Sequence, residues 1–362
     1  MNKIKQIIAI ILFLVTIISI TVGCDSNKTN EGDSKNNIAE QDAKVQTVVD
    51  QGGTEVELPS EVKTIADLWH ANNQIVLLLG GADKLVATTE NIKKTAWFAK
   101  VYPRIKDVSA PLNGNDVQIE ELMSLKPDVV LSSTDTQIEA VRKAGLKAVK
   151  VNFQSFDEMR ETVKLTAQVI GPDAEKKAEE YLKYLDGNIN YVSERIKDVP
   201  EEKRPKVLHL VNGTELLKVD GKKTIIDEWI NLSGGVNALD AEGNQITITM
   251  EDIVKSDPDI IIIGGTSAKK GKEAMENDPI WSSLKAVKNK KIYSNPVGTF
   301  QWDRYSAEEA LQVLWVAKTI YPDLFPDLDL VKKTQEFYKT FLNYDLTSDE
   351  AQRIIDGLDP EE

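Results

Sequence analysis

The feature that most constrains the fold is a segment that occurs twice along the chain. Residues 119–131 read IEELMSLKPDVVL, and residues 250–263 read MEDIVKSDPDIIII. Each segment has a glutamate, an acidic residue and an aliphatic residue, and each reaches Pro-Asp before an apolar run, which fits a helix followed by a buried strand. Each half also contains an apolar helix pattern that ends in Gly-Gly, at 80–81 and at 234–235. This duplication predicts two similar lobes that face each other across a cleft.

Around the repeats, strand-like and helix-like segments alternate. KTIADL, DVVLSS and KAVKVN fit strands in the first half, as KVLHLVN, DIIIIGG and KKIYSNP do in the second. Such alternation predicts an α/β fold of two βα lobes with mostly parallel sheets. From Pro172 the chain is rich in helix formers, and its apolar residues recur at intervals of three and four up to Ile196, although Gly187 weakens the middle. This pattern predicts one long helix that joins the lobes.

The N-terminus has the layout of a secretory leader. Lys3 and Lys5 precede an apolar run at 7–20, and Thr-Val-Gly then leads to Cys24, which is the only cysteine. The pattern resembles the lipobox at which bacterial lipoproteins are cut and acylated, so we expect lipid on Cys24; an uncleaved anchor helix is the alternative. Two or more acyl chains give stable anchoring to a membrane.

These patterns give a division of the whole chain. Residues 1–23 are expected to be a signal peptide, 24–44 the acylated cysteine and a polar, disordered tether, 45–171 the N-terminal lobe, 172–199 the interlobe helix and 200–362 the C-terminal lobe. The formal charge is −14, and loss of Lys3 and Lys5 with the leader makes it two units more negative. Nucleic-acid binding needs basic patches, so this balance excludes that class of function.

Taken together, these residues resemble the class III solute-binding proteins of ABC importers, which serve ferric siderophores, haem and cobalamin. The resemblance rests on the duplicated Glu-x-aliphatic helix with Pro-Asp, on the single helix between lobes and on the C-terminal stretches NPVGTFQWDRYSAEEALQVLWVAKTIYPDLF and EFYKTFLNYDLTSDEAQRIIDG. It covers about residues 45–358. It implies a monomeric receptor on the extracytoplasmic face of the cell membrane, without a cofactor or metal of its own, that delivers a metal chelate to a permease dimer and its ATPase.

The resemblance also implies how the receptor meets its permease. In this family one glutamate on each lobe docks into arginines of the permease, and Glu120 and Glu251 are the matching positions. An arginine fork suits a carboxylate held on a stiff body. Glu121 and Asp252 are the adjacent alternatives. A purely local role, in which each acidic residue favours the first turn of its helix, is the simpler explanation.

Ligands of α/β folds meet the loops at the carboxyl ends of strands, and three segments there carry unusual side chains. They are WHANN from residue 69, KKTAWFAK and GTFQWDRY. Flat apolar rings and a guanidinium suit a bulky chelate with carboxylates. The expected ligand contacts are Trp69, His70, Asn72, Trp97, Trp302, Arg304 and Tyr305. Structural roles stay open for each; for example, Trp302 packing a hinge and Arg304 pairing with Asp303.

The preferred cargo is an iron–siderophore complex or a similar metal chelate, with cobalamin or haem as alternatives. Haem needs an axial His or Tyr, for which His70, Tyr305 or Tyr102 are candidates. Receptors for bare zinc or manganese use several histidines, whereas this chain has two. A lipid-anchored hydrolase of similar build is the distant alternative, because no Gly-x-Ser-x-Gly elbow, Walker A loop or His-Glu-x-x-His motif occurs. We therefore expect a receptor and not an enzyme.

Overall fold

The computed structural model describes residues 45–361. The expected signal peptide, the lipidation site Cys24 and the tether lie outside these residues. Among the helices of the described part, none is long and apolar enough to cross a membrane.

The described chain begins with a β-hairpin. Strands β1 (Val45–Val49) and β2 (Glu55–Pro59) pair antiparallel. The Asp50 carboxylate closes the turn by accepting hydrogen bonds from the backbone N–H groups of Gly52 and Thr54 at 2.9 and 2.8 Å. Gly53 has φ of +78°, a conformation in which a side chain is strained, so glycine is required at this point of the turn.

The N-terminal lobe is a parallel sheet with helices around it. Its further strands are β3 (Ile65–Asp67), β4 (Leu85–Ala87), β5 (Leu112–Asn113), β6 (Asp116–Val117), β7 (Val129–Ser132) and β8 (Ala148–Lys150). Its helices are α1 (His70–Leu78), α2 (Glu90–Lys94), α3 (Ala96–Val101), α4 (Ile119–Ser124), α5 (Asp135–Lys143) and α6 (Phe156–Ile170). The sheet order is β4-β3-β7-β8, all parallel. All four residues of β7 are buried, as expected of a parallel strand that is covered on both faces.

A single helix then follows, α7 (Pro172–Ile196), which spans 25 residues without a break at Gly187. Its buried side includes Ala178, Leu185 and Val192 of the predicted apolar face, whereas Leu182 is only partly buried. The helix packs on α6 of the first lobe and on helices that follow in the chain.

The C-terminal lobe carries a mixed sheet. Its strands are β9 (Lys206–Leu210), β10 (Lys218–Val219), β11 (Val236–Asn237), β12 (Ile246–Thr247), β13 (Ile260–Ile263) and β14 (Ile292–Ser294). Its helices are α8 (Ile225–Leu232), α9 (Met250–Ser256), α10 (Ala268–Asn277), α11 (Lys285–Lys288), α12 (Glu309–Ile320), α13 (Leu330–Leu342) and α14 (Ser348–Ile355). Strands β9, β11, β13 and β14 run parallel, and β10 and β12 add an antiparallel edge. Short 3₁₀ turns cover Ala82–Lys84, Pro103–Asp107, Glu201–Lys203, Trp281–Ser283 and Pro322–Leu324.

The duplicated segments form the same unit in both lobes, α4–β7 and α9–β13. The residue before each Pro-Asp adopts a left-handed conformation, with φ of +50° at Lys126 and +38° at Asp257. The aspartate after each proline accepts a backbone N–H at the start of the neighbouring strand: Asp128 from Lys63 at 2.7 Å, and Asp259 from Lys206 at 2.9 Å. The Pro-Asp pair therefore ends the helix and aligns two strands.

Some elements differ from the sequence prediction. The long helix α6 was not predicted, nor was α10. The assignment of KKTAWFAK as a loop was wrong, because Thr89 caps α2 by accepting the backbone N–H of Ile92, and Trp97 lies within α3. The apolar residues of this segment are too few to show a helical period, so no pattern in them marks two short helices.

Candidate functional site

A cavity of about 480 Å³ lies between the two lobes. The lining residues come from the starts of helices in the N-terminal lobe, from the loops that follow β13 and β14, and from the C-terminal tail. They are His70, Asn91, Lys94, Thr95, Ala96, Trp97, Thr266, Val297, Gly298, Phe300, Gln301, Arg304 and Asp359.

Strand ends place these residues. His70 begins α1 directly after β3, at the carboxyl edge of the first sheet. The loop of 297–308 follows β14 at the corresponding edge of the second sheet. This is where ligands meet α/β folds. The imidazole of His70 and the ring of Phe300 pack against each other in the cavity wall, with ring centroids 5.4 Å apart, so each lobe contributes one ring to the wall.

The charges that line the cavity favour an anion. Lys94 and Arg304 are cationic, and Asp359 is the one carboxylate among the lining residues. Burial lowers the pKa of His70 below its ordinary value, so this imidazole is neutral near pH 7. The net charge of the lining is thus positive, although the whole chain carries −14.

Arg304 is the most firmly held of these charged groups. Its side chain is buried, and Nη2 donates to Asp220 Oδ2 at 2.7 Å. Nε lies 3.7 Å from Asp303 Oδ2 and makes no hydrogen bond, and Nη1 is 3.5 Å from Asn244 Oδ1. The guanidinium is therefore anchored through Nη2, whereas Nε has no hydrogen bond and Nη1 has only a long one.

The same carboxylates hold His209 of β9. Its Nδ1 lies 2.8 Å from Asp220 Oδ2, and its Nε2 lies 3.0 Å from Asp303 Oδ2. Burial opposes the charged imidazole, but the hydrogen bonds to both carboxylates outweigh burial and raise the pKa of His209. Burial alone would raise the pKa of Asp220. The hydrogen bond from His209 and the charge of Arg304 outweigh burial and lower this pKa to about 2.

Of the seven expected ligand contacts, His70, Trp97 and Arg304 line the cavity. Trp97 is fully buried, and its Nε1 donates to the carbonyl of Leu358 at 2.9 Å, which joins α3 to the C-terminal tail. This bond explains why the cavity wall includes Asp359.

The other four lie elsewhere. Trp69 packs edge-on against Phe153 with centroids 5.3 Å apart, and Trp302 is fully buried. Asn72 is on the buried side of α1, where it donates to Asp67 and accepts from Thr166. Direct contact of these three side chains with a ligand stays a prediction.

Tyr305, the fourth, bridges the lobes. It takes the left-handed conformation with φ of +53°, and its hydroxyl donates to Gln154 Oε1 of the N-terminal lobe at 2.9 Å. Its ring packs against Trp69 and Phe153. Its contact with a ligand also stays a prediction.

A buried seam around Gln74 joins α1 to the loop before α12. The Gln74 amide donates to Thr299 Oγ1 at 2.9 Å and to Glu308 Oε2 at 2.6 Å. Its carbonyl accepts the backbone N–H of Ala307 at 2.7 Å. Glu308 also accepts the hydroxyl proton of Tyr338 at 2.6 Å. A fully satisfied buried network of this kind fixes a single arrangement of the two lobes.

Comparison with known proteins agrees with this architecture. A family model described as "Periplasmic binding protein" matches residues 65–297. The chain belongs to this family. It is 29% identical, over 82% of its length and 93% of the relative, to an uncharacterised ABC transporter substrate-binding lipoprotein, YvrC, of Bacillus subtilis. The molybdate-binding protein MolA of Haemophilus influenzae is 23% identical over 84% of this chain and 93% of its own length.

A solved structure leads to the same family. The periplasmic solute-binding protein of Veillonella parvula superposes with a TM-score of 0.76 at 28% identity, over 86% of this chain and 97% of that one. The two-lobed α/β fold is thereby confirmed. Periplasmic binding proteins capture solutes without chemical turnover, so the expectation that the chain is not an enzyme is also confirmed.

The two glutamates expected to dock lie at equivalent points of this binding protein. Glu120 and Glu251 are each the second residue of a helix, α4 and α9, and both are exposed. Three residues further along, each helix exposes a large apolar side chain, Met123 at 47% and Val254 at 45%. Each lobe therefore presents a carboxylate beside an apolar side chain.

Sequence reasoning missed several lining residues and the cluster behind Arg304. Lys94 lies in the segment KKTAWFAK, but nothing in the local pattern distinguishes it from Lys93. His209 lies in a predicted strand and Asp220 in no predicted element, and only the folded sheet brings both to Asp303. Antiparallel pairing between β9 and β10 is the missing information.

Proposed function

We propose that this protein is the extracytoplasmic receptor of an ABC importer and that it captures an anionic metal chelate, such as a ferric siderophore or a ferric carboxylate complex, between its lobes. Glu120 and Glu251 would then present the loaded receptor to the permease dimer and its ATPase. Lipid on Cys24 would hold the receptor at the cell membrane.

One observation carries the choice of cargo: the interlobe cavity combines cationic side chains with flat apolar faces. Lys94 and Arg304 suit carboxylate or other anionic oxygens, and the guanidinium is the better fork for them. His70 and Phe300 offer ring faces to an organic chelator. A ligand with an organic shell and a negative charge uses both properties.

The size of the cavity also bears on the cargo. At about 480 Å³ it falls within the range of pockets that enclose organic ligands. A bare tetrahedral oxyanion, as bound by the relative MolA, fills a small part of such a volume and makes no use of the aromatic faces. The chelate is therefore preferred over the oxyanion for this chain.

Haem is the second candidate, and one observation favours it. His70 lines the cavity, and burial keeps its imidazole neutral, the form that ligates iron. The two propionates of haem are anionic and would suit Arg304 and Lys94. In this case His70 contacts iron, whereas a siderophore already saturates its metal.

The test is a titration of the mature, unlipidated chain with ferric citrate, ferric catecholate and hydroxamate siderophores, haemin, cobalamin and molybdate, followed by tryptophan fluorescence. We expect saturable quenching by an anionic iron chelate, with weaker binding after Arg304→Met or Lys94→Ala. Lys93→Ala is the matched control, because Lys93 is not among the lining residues. A response to haemin alone, with a Soret shift that His70→Ala abolishes, would move the cargo to haem. Silence across the panel would overturn the chelate assignment.

Docking needs a separate measurement, uptake of the radiolabelled chelate by cells. Glu120→Gln and Glu251→Gln should reduce uptake without changing the chelate affinity of the purified receptor. The neighbouring Glu121→Gln is the matched control, and a loss of uptake there instead would shift the docking residue. Mass spectrometry of the receptor extracted from membranes should show an acylated Cys24 as the first residue; an intact leader would point to an uncleaved anchor helix.

A further inference from the structure

The cluster of His209, Asp220, Asp303 and Arg304 is unusual in its charge and its depth. Arg304 is 6% exposed, and the other three are fully buried. Buried charges are costly unless they are paired. Two carboxylates against one guanidinium leave a negative charge without a partner, unless His209 carries a second proton.

The hydrogen bonds decide where that proton is held. Both ring nitrogens of His209 face a carboxylate oxygen, at 2.8 and 3.0 Å. An ionised carboxylate only accepts hydrogen bonds, so each ring nitrogen must donate. Asp220 is ionised because it also accepts from Arg304 at 2.7 Å and from the backbone N–H of Gln245 at 2.8 Å.

Among the residues that the structure describes, the charged groups that contact the ring belong to the cluster itself. Asp220 faces it from directly after β10, and Asp303 faces it from the loop before α12, with Arg304 hydrogen-bonded to Asp220. On a further side lies the uncharged indole of Trp229 from α8, edge-on at 5.7 Å. Glu309 lies at the start of α12, and burial together with the charge of Asp303 raises its pKa well above the ordinary value, which keeps it neutral.

We infer that His209 is a positioning residue for cargo binding: held as an imidazolium between Asp220 and Asp303, it offsets one of their two negative charges, so that Arg304 can bind an anionic group without a net negative charge behind it. This inference rests on the proposed function for its ligand. His209 is absent from the cavity lining and acts only through the two carboxylates.

The inference has a definite pH dependence. With His209 protonated the four groups sum to zero, and an anionic ligand that binds Arg304 meets no net repulsion from the cluster. When His209 loses its proton, the cluster becomes negative and opposes an anion. Affinity for an anionic chelate is therefore complete below the raised folded pKa of His209 and falls as the pH rises through it.

The first test is NMR of the ligand-free protein, which needs no cargo. The chain contains two histidines, so His70→Gln identifies both imidazole signals. We expect nitrogen shifts of a doubly protonated ring for His209 at a pH where His70 is already neutral. A single N–H on His209 at pH 6.5, the ordinary pKa of the side chain, would overturn the inference without bearing on the proposed function.

The second test uses ferric citrate as the anionic probe, with wild type and His209→Gln compared between pH 6 and 9. One unit charge acting over one or two side-chain lengths, at an effective dielectric constant of about 20, changes affinity by about tenfold. We expect His209→Gln to weaken binding by about that factor at pH 6 and to converge with wild type at high pH. Taking the ratio at each pH cancels any change in the probe itself.

The outcomes of the two tests separate the hypotheses. A constant ratio across the pH range would reduce His209 to a structural role and overturn the inference. A wild type that does not bind ferric citrate would count against the proposed cargo, and the NMR measurement would then decide the state of His209 alone. If His209→Gln does not fold, the NMR titration of wild type still decides the protonation state.

Discussion

The two lobes repeat one helix-to-strand unit but treat a buried carboxylate in opposite ways. In the N-terminal lobe, Asp67 ends β3 and accepts hydrogen bonds from the backbone N–H of Trp69 and the side chain of Asn72, both neutral donors. Burial raises its pKa to about 8. In the C-terminal lobe, Asp220 faces His209 and Arg304, and its pKa falls to about 2 despite burial.

The difference teaches that the fold does not determine the charge of its interior. Both aspartates are fully buried at the end of a strand, Asp67 in the parallel sheet and Asp220 directly after the antiparallel strand β10. Neutral donors reduce the cost of burying a carboxylate, but only cationic partners reverse it. The C-terminal lobe thus holds charge in its interior, whereas the N-terminal lobe contributes the neutral imidazole of His70, aromatic surface and one cationic side chain, Lys94, to the cleft.

The strongest way to break this contrast is to remove the cation. Arg304→Met leaves Asp220 and Asp303 with His209 as their only charged partner. Breaking a buried pair by removing one member costs about 3–5 kcal/mol, so we expect a large loss in the free energy of unfolding, together with loss of anion binding. Urea denaturation measures the first effect. Arg104→Met, which removes an exposed pair with Asp83, is the control and should change little. Equal losses in both variants would contradict the special role of the buried cluster.

The second prediction concerns Asp67 and pH. Its folded pKa is raised from 3.8 to about 8, so the folded state binds the proton more tightly than the unfolded state. Its contribution to stability is therefore complete below about pH 4 and is lost as the pH rises to about 8, by a few kcal/mol. Asp220 has the opposite sign, because its contribution is present above about pH 4 and is lost as the pH falls towards 2.

Unfolding free energies of Asp67→Asn between pH 4 and 9 test this sign. The variant cannot ionise, and the amide of Asn72 can turn to accept from it. We expect the variant to lose less stability than wild type as the pH rises through 8. Parallel curves would mean that Asp67 keeps its charge and that the two lobes do not differ in this respect.

How much of this was predictable follows from the range of the interactions. The duplicated segment predicts α4–β7 and α9–β13 because each contact within them is local or repeats a short pattern. Arg304 was expected at the cleft from its position after a strand. The proton on His209 was not predictable, since it depends on Asp220 and Asp303, which lie 11 and 94 residues away. The role of Gln74 in joining the lobes was not predictable for the same reason, because its partners are more than 200 residues away in the sequence.

The third prediction tests the seam that joins the two lobes. Gln74→Met keeps the length of the side chain but removes the donor to Thr299 and Glu308 and the acceptor for Ala307. A buried group left without its partner costs about 1–3 kcal/mol, and we expect a loss of that size in thermal or urea unfolding. Gln352→Met on α14 removes an exposed hydrogen bond to Asp356 and is the matched control. If Gln74→Met lost no more stability than this control, the link between the lobes would lie elsewhere.

The smallest effect concerns α7, the helix between the lobes. Two glycines, one just before this helix and one within it, have open space around them and differ in backbone conformation. A Cβ at Gly187 or Gly171 meets no atom within 4 Å. Gly187 is helical, so Gly187→Ala should stabilise by about 0.5–1 kcal/mol, because alanine loses less backbone entropy in a helix. Gly171 has φ of +125°, and Gly171→Ala should destabilise because L side chains are strained there. Chelate affinity should stay unchanged for Gly187→Ala if the receptor binds with its lobes already in place. A lower affinity in the stiffer variant would mean that bending of α7, and not only the charge difference between the lobes, contributes to capture.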